Sequence, residues 1–256
     1  MKFWRRTVHE ESEHKLLSLA LNAEDGTTLM TFPGEVIESI RRTISRLITK
    51  KTLPARIALV SSLRQEGVTY LSRALATTLA NDLDANVCVV ELNWWWPDSS
   101  IVLPTDHSIL ESNRGLAGVL AEEIKLEQAI LRTDRANLCL LPAGRMEVTS
   151  RPVLSRSTLL KEILYQLSEQ YEYLVLDIPA VTATNDAIPL ASLGDACCLV
   201  VHQGLTPIEK VRSTLDEIDH LTVLGVILNK MHNYTPSFLL HLIPQDAITE
   251  TGVASG

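Results

Sequence analysis

The chain has 256 residues, of which 46% are hydrophobic and 21% are charged, and these values are typical of a globular protein with one α/β domain. The formal net charge of −8 argues against nucleic acid or an anionic membrane as the main partner, because both attract basic surfaces. MKFWRR at the N-terminus lacks the apolar core of a signal peptide, and no apolar run approaches the roughly 20 residues that span a bilayer, so we expect a cytoplasmic protein.

The N-terminal part of the chain differs in pattern from the remainder. Residues 1–34 are polar and charged, which predicts an extension with little core of its own and a short helix from Leu16 to Leu21. In residues 34–51, apolar side chains recur at the 3.6-residue spacing of an amphipathic helix with a basic last turn; they are Val36, Ile37, Ile40, Ile44, Leu47 and Ile48.

From residue 55 onward, apolar runs alternate with helical patterns. The runs are continuous and rich in Val, Leu and Ile, as in strands covered on both faces; they are 55–62, 85–93, 138–144, 172–179, 196–204 and 223–231. Helical patterns between them include 69–82, 157–170 and 207–221. The alternation predicts an α/β fold, a parallel doubly wound sheet with helices on both faces and its ligand crevice at the carboxyl ends of the strands. We place this domain at residues 35–235, followed by a tail at 236–256.

The cysteines and histidines do not suggest a metal site. All four cysteines lie inside apolar runs without the spacing of metal ligands, and the seven histidines are scattered. We expect core cysteines that behave as small hydrophobic residues; they are Cys88, Cys139, Cys197 and Cys198.

The loop after the first strand of the alternating region, VSSLRQEGVTY (60–70), stands where a P-loop would have GxxxxGK[ST]. Gly67 and Thr69 match the second glycine and the hydroxyl residue, but Val68 stands in the lysine position and Ser62 in that of the first glycine. Taken alone, this segment is equally an ordinary strand–turn–helix connection.

Six further segments occur in order, and together they carry a resemblance. They are CVVELNWWWP (88–97), GLAGVLAEEIKLEQAI (115–130), LCLLPAG (138–144), YEYLVLDIPAVTATNDAIPLA (171–191), DACCLVVHQGLT (195–206) and LGVILNKM (224–231). Over residues 35–231 the chain resembles the cytoplasmic bacterial tyrosine kinases of exopolysaccharide and capsule synthesis, within the MinD/ParA-like P-loop ATPases. The resemblance implies the P-loop NTPase fold.

The resemblance also implies a nucleotide site. In that family an aspartate-rich DxDxR motif helps hold magnesium, and its positions here are Glu91, Asn93 and Trp95. Thr69 and Asp177 match magnesium-linked residues, Asp177 as a vestigial catalytic carboxylate, although Thr69 is equally a helix cap and Asp177 a buried structural carboxylate. The implied nucleotide-binding residues are Glu66, Gly67, Val68, Thr69, Tyr70, Glu91, Asn93 and Asn229.

Three substitutions predict that phosphoryl transfer is impaired. Val68 replaces the lysine, Asn93 an aspartate and Trp95 the arginine of the family pattern. An ammonium 4 Å from a phosphate charge contributes about 4 kcal/mol at an effective dielectric near 20, and each ~1.4 kcal/mol is a factor of ten in rate. We expect ATP and Mg²⁺ as cofactors only if nucleotide binding is retained, for which Lys50 or Lys51 would have to substitute.

Two groups of residues are predicted to form interfaces. The helix that links kinase subunits carries ExxRxxR, and its positions here are Glu35, Glu38 and Arg41. Trp94, Trp95 and Trp96 replace the acidic and basic edge of the magnesium–phosphate site, and at least one of three adjacent rings must be exposed. The kinases end in a tyrosine cluster, whereas only Tyr234 follows residue 231 here.

These observations favour a catalytically impaired regulatory or scaffolding protein of exopolysaccharide or capsule biosynthesis. Its expected partner is a membrane polysaccharide co-polymerase, which would recruit it to the inner face of the membrane, or an active kinase paralogue; a homo-oligomer is also compatible, and nucleic acid is not expected. Two alternatives stay open, namely an active ATP-dependent protein tyrosine kinase or ATPase with an atypical P-loop, and a MinD/ParA-like positioning factor.

Overall fold

A computed structural model describes residues 17–97 and 115–230. The predicted tail from residue 236, and Tyr234 with it, lie outside the described residues. Among the described residues, no helix combines the length and the apolar character needed to cross a bilayer.

The described chain begins with an antiparallel hairpin of β1 (Leu19–Asn22) and β2 (Thr28–Phe32). The predicted helix here is therefore wrong, because the buried residues alternate along β1 with a period of two, which a short apolar window does not distinguish from a helical turn. Leu21 and Phe32 are fully buried, and they pack in a core cluster that is shared with residues beyond position 35. A hydrogen bond from the backbone N–H of Thr27 to Asp25 Oδ1 (2.9 Å) stabilises the turn.

The main sheet has seven strands in the order β5-β6-β4-β7-β3-β8-β9. The six predicted apolar runs form its parallel strands, as expected. The short strand β5 pairs antiparallel with β6 and was not predicted, since two residues are too few to show a pattern. The strands are β3 (Arg56–Ser61), β4 (Val87–Glu91), β5 (Leu131–Arg132), β6 (Leu138–Leu141), β7 (Tyr173–Asp177), β8 (Ala196–His202) and β9 (Val223–Asn229).

Eight α-helices and one 3₁₀ turn, Val181–Ala183, connect the strands of the described residues. The helices at 34–51, 69–82, 157–170 and 207–221 were predicted to within a few residues. The α-helices are α1 (Gly34–Thr49), α2 (Val68–Asp82), α3 (Leu116–Leu120), α4 (Leu126–Ala129), α5 (Arg151–Leu154), α6 (Thr158–Gln170), α7 (Ala187–Ala191) and α8 (Ile208–Glu217).

Helices cover both faces of the sheet, which confirms the predicted doubly wound architecture. One core layer includes α6 and the other includes α1, α2 and the hairpin. Along β3, Ala58 and Val60 belong to the first layer, and Ile57 and Leu59 to the second, as the pleat of a strand requires. All four cysteines are buried, and burial raises the pKa of the Cys198 thiol to about 12.

The hairpin is expected to fold as part of the domain. Phe32 is fully buried and packs edge-on against Tyr70 in α2, with ring centres 5.3 Å apart. Phe32→Ala should lower the free energy of unfolding by about 3–5 kcal/mol in urea denaturation, because it removes a buried ring and leaves a cavity. Tyr165→Ala, at a side chain that is 66% exposed, is the control. A loss below about 1 kcal/mol for Phe32→Ala would mean that the hairpin does not belong to the folding unit.

Candidate functional site

The carboxyl ends of β3, β7 and β4 bring the predicted site residues to one edge of the sheet. β7 lies between β3 and β4, and Asp177 at its end is the register partner of Leu59 on one side and of Glu91 on the other. The loop 62–67 leaves β3 at the same edge. The two carboxylates therefore start from adjacent backbone positions beside the P-loop-like turn.

Glu66 ties this loop to the neighbouring strands. Its carboxylate accepts the N–H of Leu63 at 2.9 Å and the hydroxyl of Thr206, which follows β8. Its backbone carbonyl accepts the side-chain amide of Asn229 at 2.8 Å, from the end of β9. Glu66 is 2% exposed, so the side chain predicted to touch nucleotide holds the loop together from inside.

Gly67 and Asn229 fit closely against each other. Gly67 has φ +97° and begins α2, and a Cβ on it would lie 2.2 Å from Asn229 Nδ2. The other end of the Asn229 amide, Oδ1, accepts the backbone N–H of Lys230 at 2.9 Å. Both polar ends of Asn229, a predicted nucleotide-binding residue, are therefore engaged in bonding the loop and its own strand end.

The side chains that follow Gly67 turn largely into the protein. Val68 is 8% exposed and packs in the core layer that includes the hairpin. Thr69 and Tyr70 are half-buried, and burial raises the pKa of Tyr70. The lysine position thus points its substituent into the core.

A different lysine contacts the loop. Lys50 and Lys51 are exposed where α1 ends, before the chain enters β3. Lys230 instead donates from Nζ to the backbone carbonyl of Gln65 at 3.1 Å. Across the described ranges, the lysine whose ammonium group hydrogen-bonds this loop is therefore Lys230, which sequence reasoning missed.

Glu91 forms a buried ion pair with Arg73 of α2. Arg73 Nη2 lies 2.6 Å from Glu91 Oε1, and the two side chains are only 1% and 3% exposed. Arg73 was not predicted, although the sequence carries a signal for it. It is the one charged residue between Val68 and Asn81, and a lone charge in a buried helix needs a partner.

Asp177, and Asn93 of the acidic motif, have local structural contacts. Asp177 is 3% exposed, and its carbonyl accepts the N–H of Leu92 at 3.0 Å. Asn93 accepts the N–H of Trp96 on its side-chain oxygen at 3.2 Å. This bond closes the turn that carries the three tryptophans.

The three tryptophans divide between core and surface. Trp94 is 1% exposed, and its indole N–H donates to the carbonyl of Ala143 at 2.9 Å. Trp95 is half-buried with its ring centre 6.2 Å from that of Trp94. Trp96 is 36% exposed, which agrees with the expectation that at least one of the three rings is exposed. The guanidinium of Arg64, in the loop, lies over the Trp96 ring at 3.9 Å, and Arg64 also escaped prediction.

The predicted interface on α1 lies apart from the tryptophans. Arg41 forms a two-point ion pair with Asp82 at the C-terminal end of α2 (2.7 and 3.0 Å), and its hydrogen bonds lower the pKa of Asp82. Glu38 pairs with Arg42 at 3.2 Å, and Glu35 is exposed. The start of α2, at the loop, is about 22 Å from its end at the rise of a 15-residue helix. The two predicted interfaces are thus separate surfaces.

Residues 57–223 match the family model described as cellulose biosynthesis protein BcsQ. The chain belongs to the BcsQ family. The predicted relationship to bacterial tyrosine kinases and MinD-type ATPases is confirmed as well, since the similar proteins include both groups. Among the described residues, no group of three or more His, Cys, Asp or Glu side chains forms a potential metal site.

Two curated relatives and one solved structure illustrate the similarity of this BcsQ-family chain. It is 29% identical to the tyrosine-protein kinase YwqD of Bacillus subtilis over 52% of the chain and 57% of that protein. It is 29% identical to the succinoglycan biosynthesis transport protein ExoP of Rhizobium meliloti over 68% of the chain and 22% of that protein. The chain thus spans little more than half of one relative and less than a quarter of the other. The kinase domain of VpsO superposes with a TM-score of 0.65 at 24% identity, covering 77% of this chain and 97% of that one, which shows the fold.

The tryptophans should differ in their effect on stability. Trp94→Ala should cost about 3–5 kcal/mol of unfolding free energy, because it empties a packed site and removes the hydrogen bond from the indole to the Ala143 carbonyl. Trp96→Ala should cost about 1 kcal/mol or less, since it removes an exposed ring and one cation–π contact. Urea denaturation of both variants is the measurement, and equal losses would contradict the assigned burial.

The Arg73–Glu91 pair should show the signature of a buried ion pair. Arg73→Met alone should cost about 3–5 kcal/mol, because it leaves the Glu91 charge buried, and the double variant Arg73→Met/Glu91→Leu should recover most of that loss. The exposed Arg42–Glu38 pair is the matched control, with an interaction of about 0.5 kcal/mol or less. If the double variant loses the sum of both single losses, the two side chains are not coupled.

Proposed function

We propose that the chain is a catalytically impaired regulatory or scaffolding protein of polysaccharide biosynthesis. Its relatedness to the BcsQ family and to tyrosine kinases of capsule and exopolysaccharide synthesis supports the polysaccharide setting. The impairment is supported by the side chains at the carboxyl edge of the sheet, above all by one contact.

That contact is the buried pair of Arg73 and Glu91. A magnesium site needs carboxylates that are open to the metal, and Glu91 stands at the first acidic position of the kinase motif. Its carboxylate is bonded to a guanidinium at 2.6 Å and is 3% exposed. A metal ion that used Glu91 would have to displace a partner whose removal costs about 3–5 kcal/mol. Arg73 supplies the positive charge that magnesium would otherwise bring.

The phosphate side of the site supports the same conclusion. Val68 is packed in the core, so the lysine position holds no charge and its side chain does not face the loop. The missing ammonium alone corresponds to about 4 kcal/mol at 4 Å and an effective dielectric near 20, or nearly a thousand-fold in rate. The residues present therefore do not fit magnesium–ATP in the manner of the kinase motifs.

The second candidate is an active ATP-dependent tyrosine kinase or ATPase. Lys230 supports it, because its ammonium bonds the loop at Gln65, whereas Lys50 and Lys51 are exposed where α1 ends. Asp177 also remains at the sheet edge. A MinD/ParA-like positioning factor is a third candidate, and similarity to MinD structures favours it only at the level of the fold.

The proposed partner is a membrane polysaccharide co-polymerase or an active kinase paralogue, with self-association as a further possibility. A partner of this kind would hold the chain at the inner face of the membrane. Glu35, Glu38 and Arg41 on α1, and Trp95 with Trp96 at the sheet edge, are the proposed contact groups. Because Arg41 is already paired with Asp82, the tryptophan group is the stronger candidate for a partner contact.

Binding of magnesium–ATP decides between the first two candidates. Calorimetry with purified protein should show no binding in the micromolar range, and labelled ATP should leave no phosphotyrosine, because the lysine is absent and Glu91 is neutralised. Lys230→Ala should then change nothing. Micromolar binding that is lost in Lys230→Ala, or autophosphorylation that is lost in Asp177→Ala, would establish the active enzyme instead.

A further inference from the structure

Two arginines at the sheet edge have tryptophan rings rather than carboxylates as neighbours. The guanidinium carbon of Arg64 lies 3.9 Å from the ring centre of Trp96, and that of Arg151 lies 5.8 Å from the ring centre of Trp95. The two rings belong to consecutive residues, so the arginines flank one turn. Elsewhere in residues 17–97 and 115–230, five arginines pair with an aspartate or glutamate: Arg41, Arg42, Arg56, Arg73 and Arg156.

A guanidinium on an aromatic face remains able to bind an anion. It is held by attraction to the π-electrons, is weakly hydrated, and keeps the in-plane N–H groups that match a carboxylate. Arg64 is exposed. Arg151 is further fixed because Nε and Nη2 donate to the carbonyl of Met146 at 3.3 and 3.2 Å. Both side chains are therefore ordered before any partner arrives, which lowers the entropic cost of binding.

Exposed apolar side chains occur at Trp96 and close to Arg151 in the sequence. Trp96 is 36% exposed, and Val148 and Val153, which flank Arg151 in the chain, are each 71% exposed. We call this set of residues the arginine–tryptophan surface; it comprises Arg64, Trp95, Trp96, Val148, Arg151 and Val153. Aromatic residues and arginines are the residue types that most often dominate binding energy in protein interfaces.

We propose that the arginine–tryptophan surface binds an acidic segment of a partner protein, in which carboxylates alternate with apolar side chains. This inference rests on the proposed scaffolding function and supplies the chemistry of its partner. The carboxylates would bond the guanidinium edges of Arg64 and Arg151. The apolar side chains would cover Trp96 and the two valines.

The charge of the whole chain favours a peptide over a polyanion. At −8, the chain repels nucleic acid and anionic bilayers at long range, and two guanidiniums neutralise few phosphates. Phosphate backbones also offer no apolar groups to the exposed valines. A short acidic peptide carries fewer charges and also supplies apolar side chains.

Selection from a phage-displayed library of random dodecapeptides tests the proposal without knowledge of the partner. Peptides selected on the wild-type chain should be enriched in Asp and Glu next to apolar residues, and those selected on Arg64→Ala/Arg151→Ala should not. Arg212→Ala, at an exposed arginine of α8, is the matched control and should select the same peptides as the wild type. Unchanged melting temperatures confirm that all variants are folded.

Titration of the strongest selected peptide then measures each contact. Arg64→Ala should weaken the dissociation constant about ten-fold, and Arg64→Lys about three-fold, because lysine keeps the charge but loses the planar two-point contact. Trp96→Phe should bind nearly as the wild type does, whereas Trp96→Ala should resemble Arg64→Ala. Replacing every Glu in the peptide by Gln should abolish binding.

Three results would overturn the proposal. They are an absence of acidic enrichment on the wild type, the same enrichment on Arg64→Ala/Arg151→Ala, and tighter binding of oligothymidylate or phosphatidylserine vesicles than of the selected peptide. Tyrosine phosphorylation by the same wild-type preparation would instead refute the proposed loss of catalysis and leave the peptide result standing. The two failures are therefore distinguishable.

Discussion

The edge of the sheet depends on one buried ion pair. Arg73 reaches from α2 to Glu91 at the end of β4, and both side chains are almost completely shielded from solvent. Two buried charges persist only if each compensates the other, so the pair fixes the helix relative to the strand beside β7. β7 carries Asp177, and β3 on its other side leads into the P-loop-like turn. The chemistry of the edge follows from this neutralised carboxylate.

The remaining contacts of the edge are internal. Glu66 closes its own loop, Asn229 bonds that loop, and Trp94 fills the core with its N–H satisfied by a carbonyl. The arginine–tryptophan contacts lie at the surface of the same edge.

The regular part of the fold could be predicted because its determinants are local. Six continuous apolar runs separated by helical patterns are sufficient to define a parallel sheet with helices on both faces. The hairpin and β5 were missed because Leu19–Asn22 and Leu131–Arg132 are too short for periodicity to separate strand from helix or loop. Their identity is set by tertiary packing, as with the burial of Phe32 against Tyr70.

The sequence indicated where the candidate site residues lie but not which partners their side chains bond. Sequence position put Glu66, Glu91, Asp177 and Asn229 at one edge. The partners of Glu66 and Glu91, Thr206 and Arg73, come from other elements, and only the folded chain brings them together. Arg73, the lone arginine in α2, was the one partner that the sequence indicated.

The close approach of Gly67 and Asn229 has an evolutionary consequence. Any side chain at position 67 would meet the Asn229 amide at 2.2 Å and would also have to adopt φ +97°. The amide in turn bonds the carbonyl just before that glycine. The two positions therefore restrict each other's substitutions. A larger side chain at residue 67 requires a smaller one at residue 229 and a rebuilt loop, so both residues are expected to stay fixed or to change together.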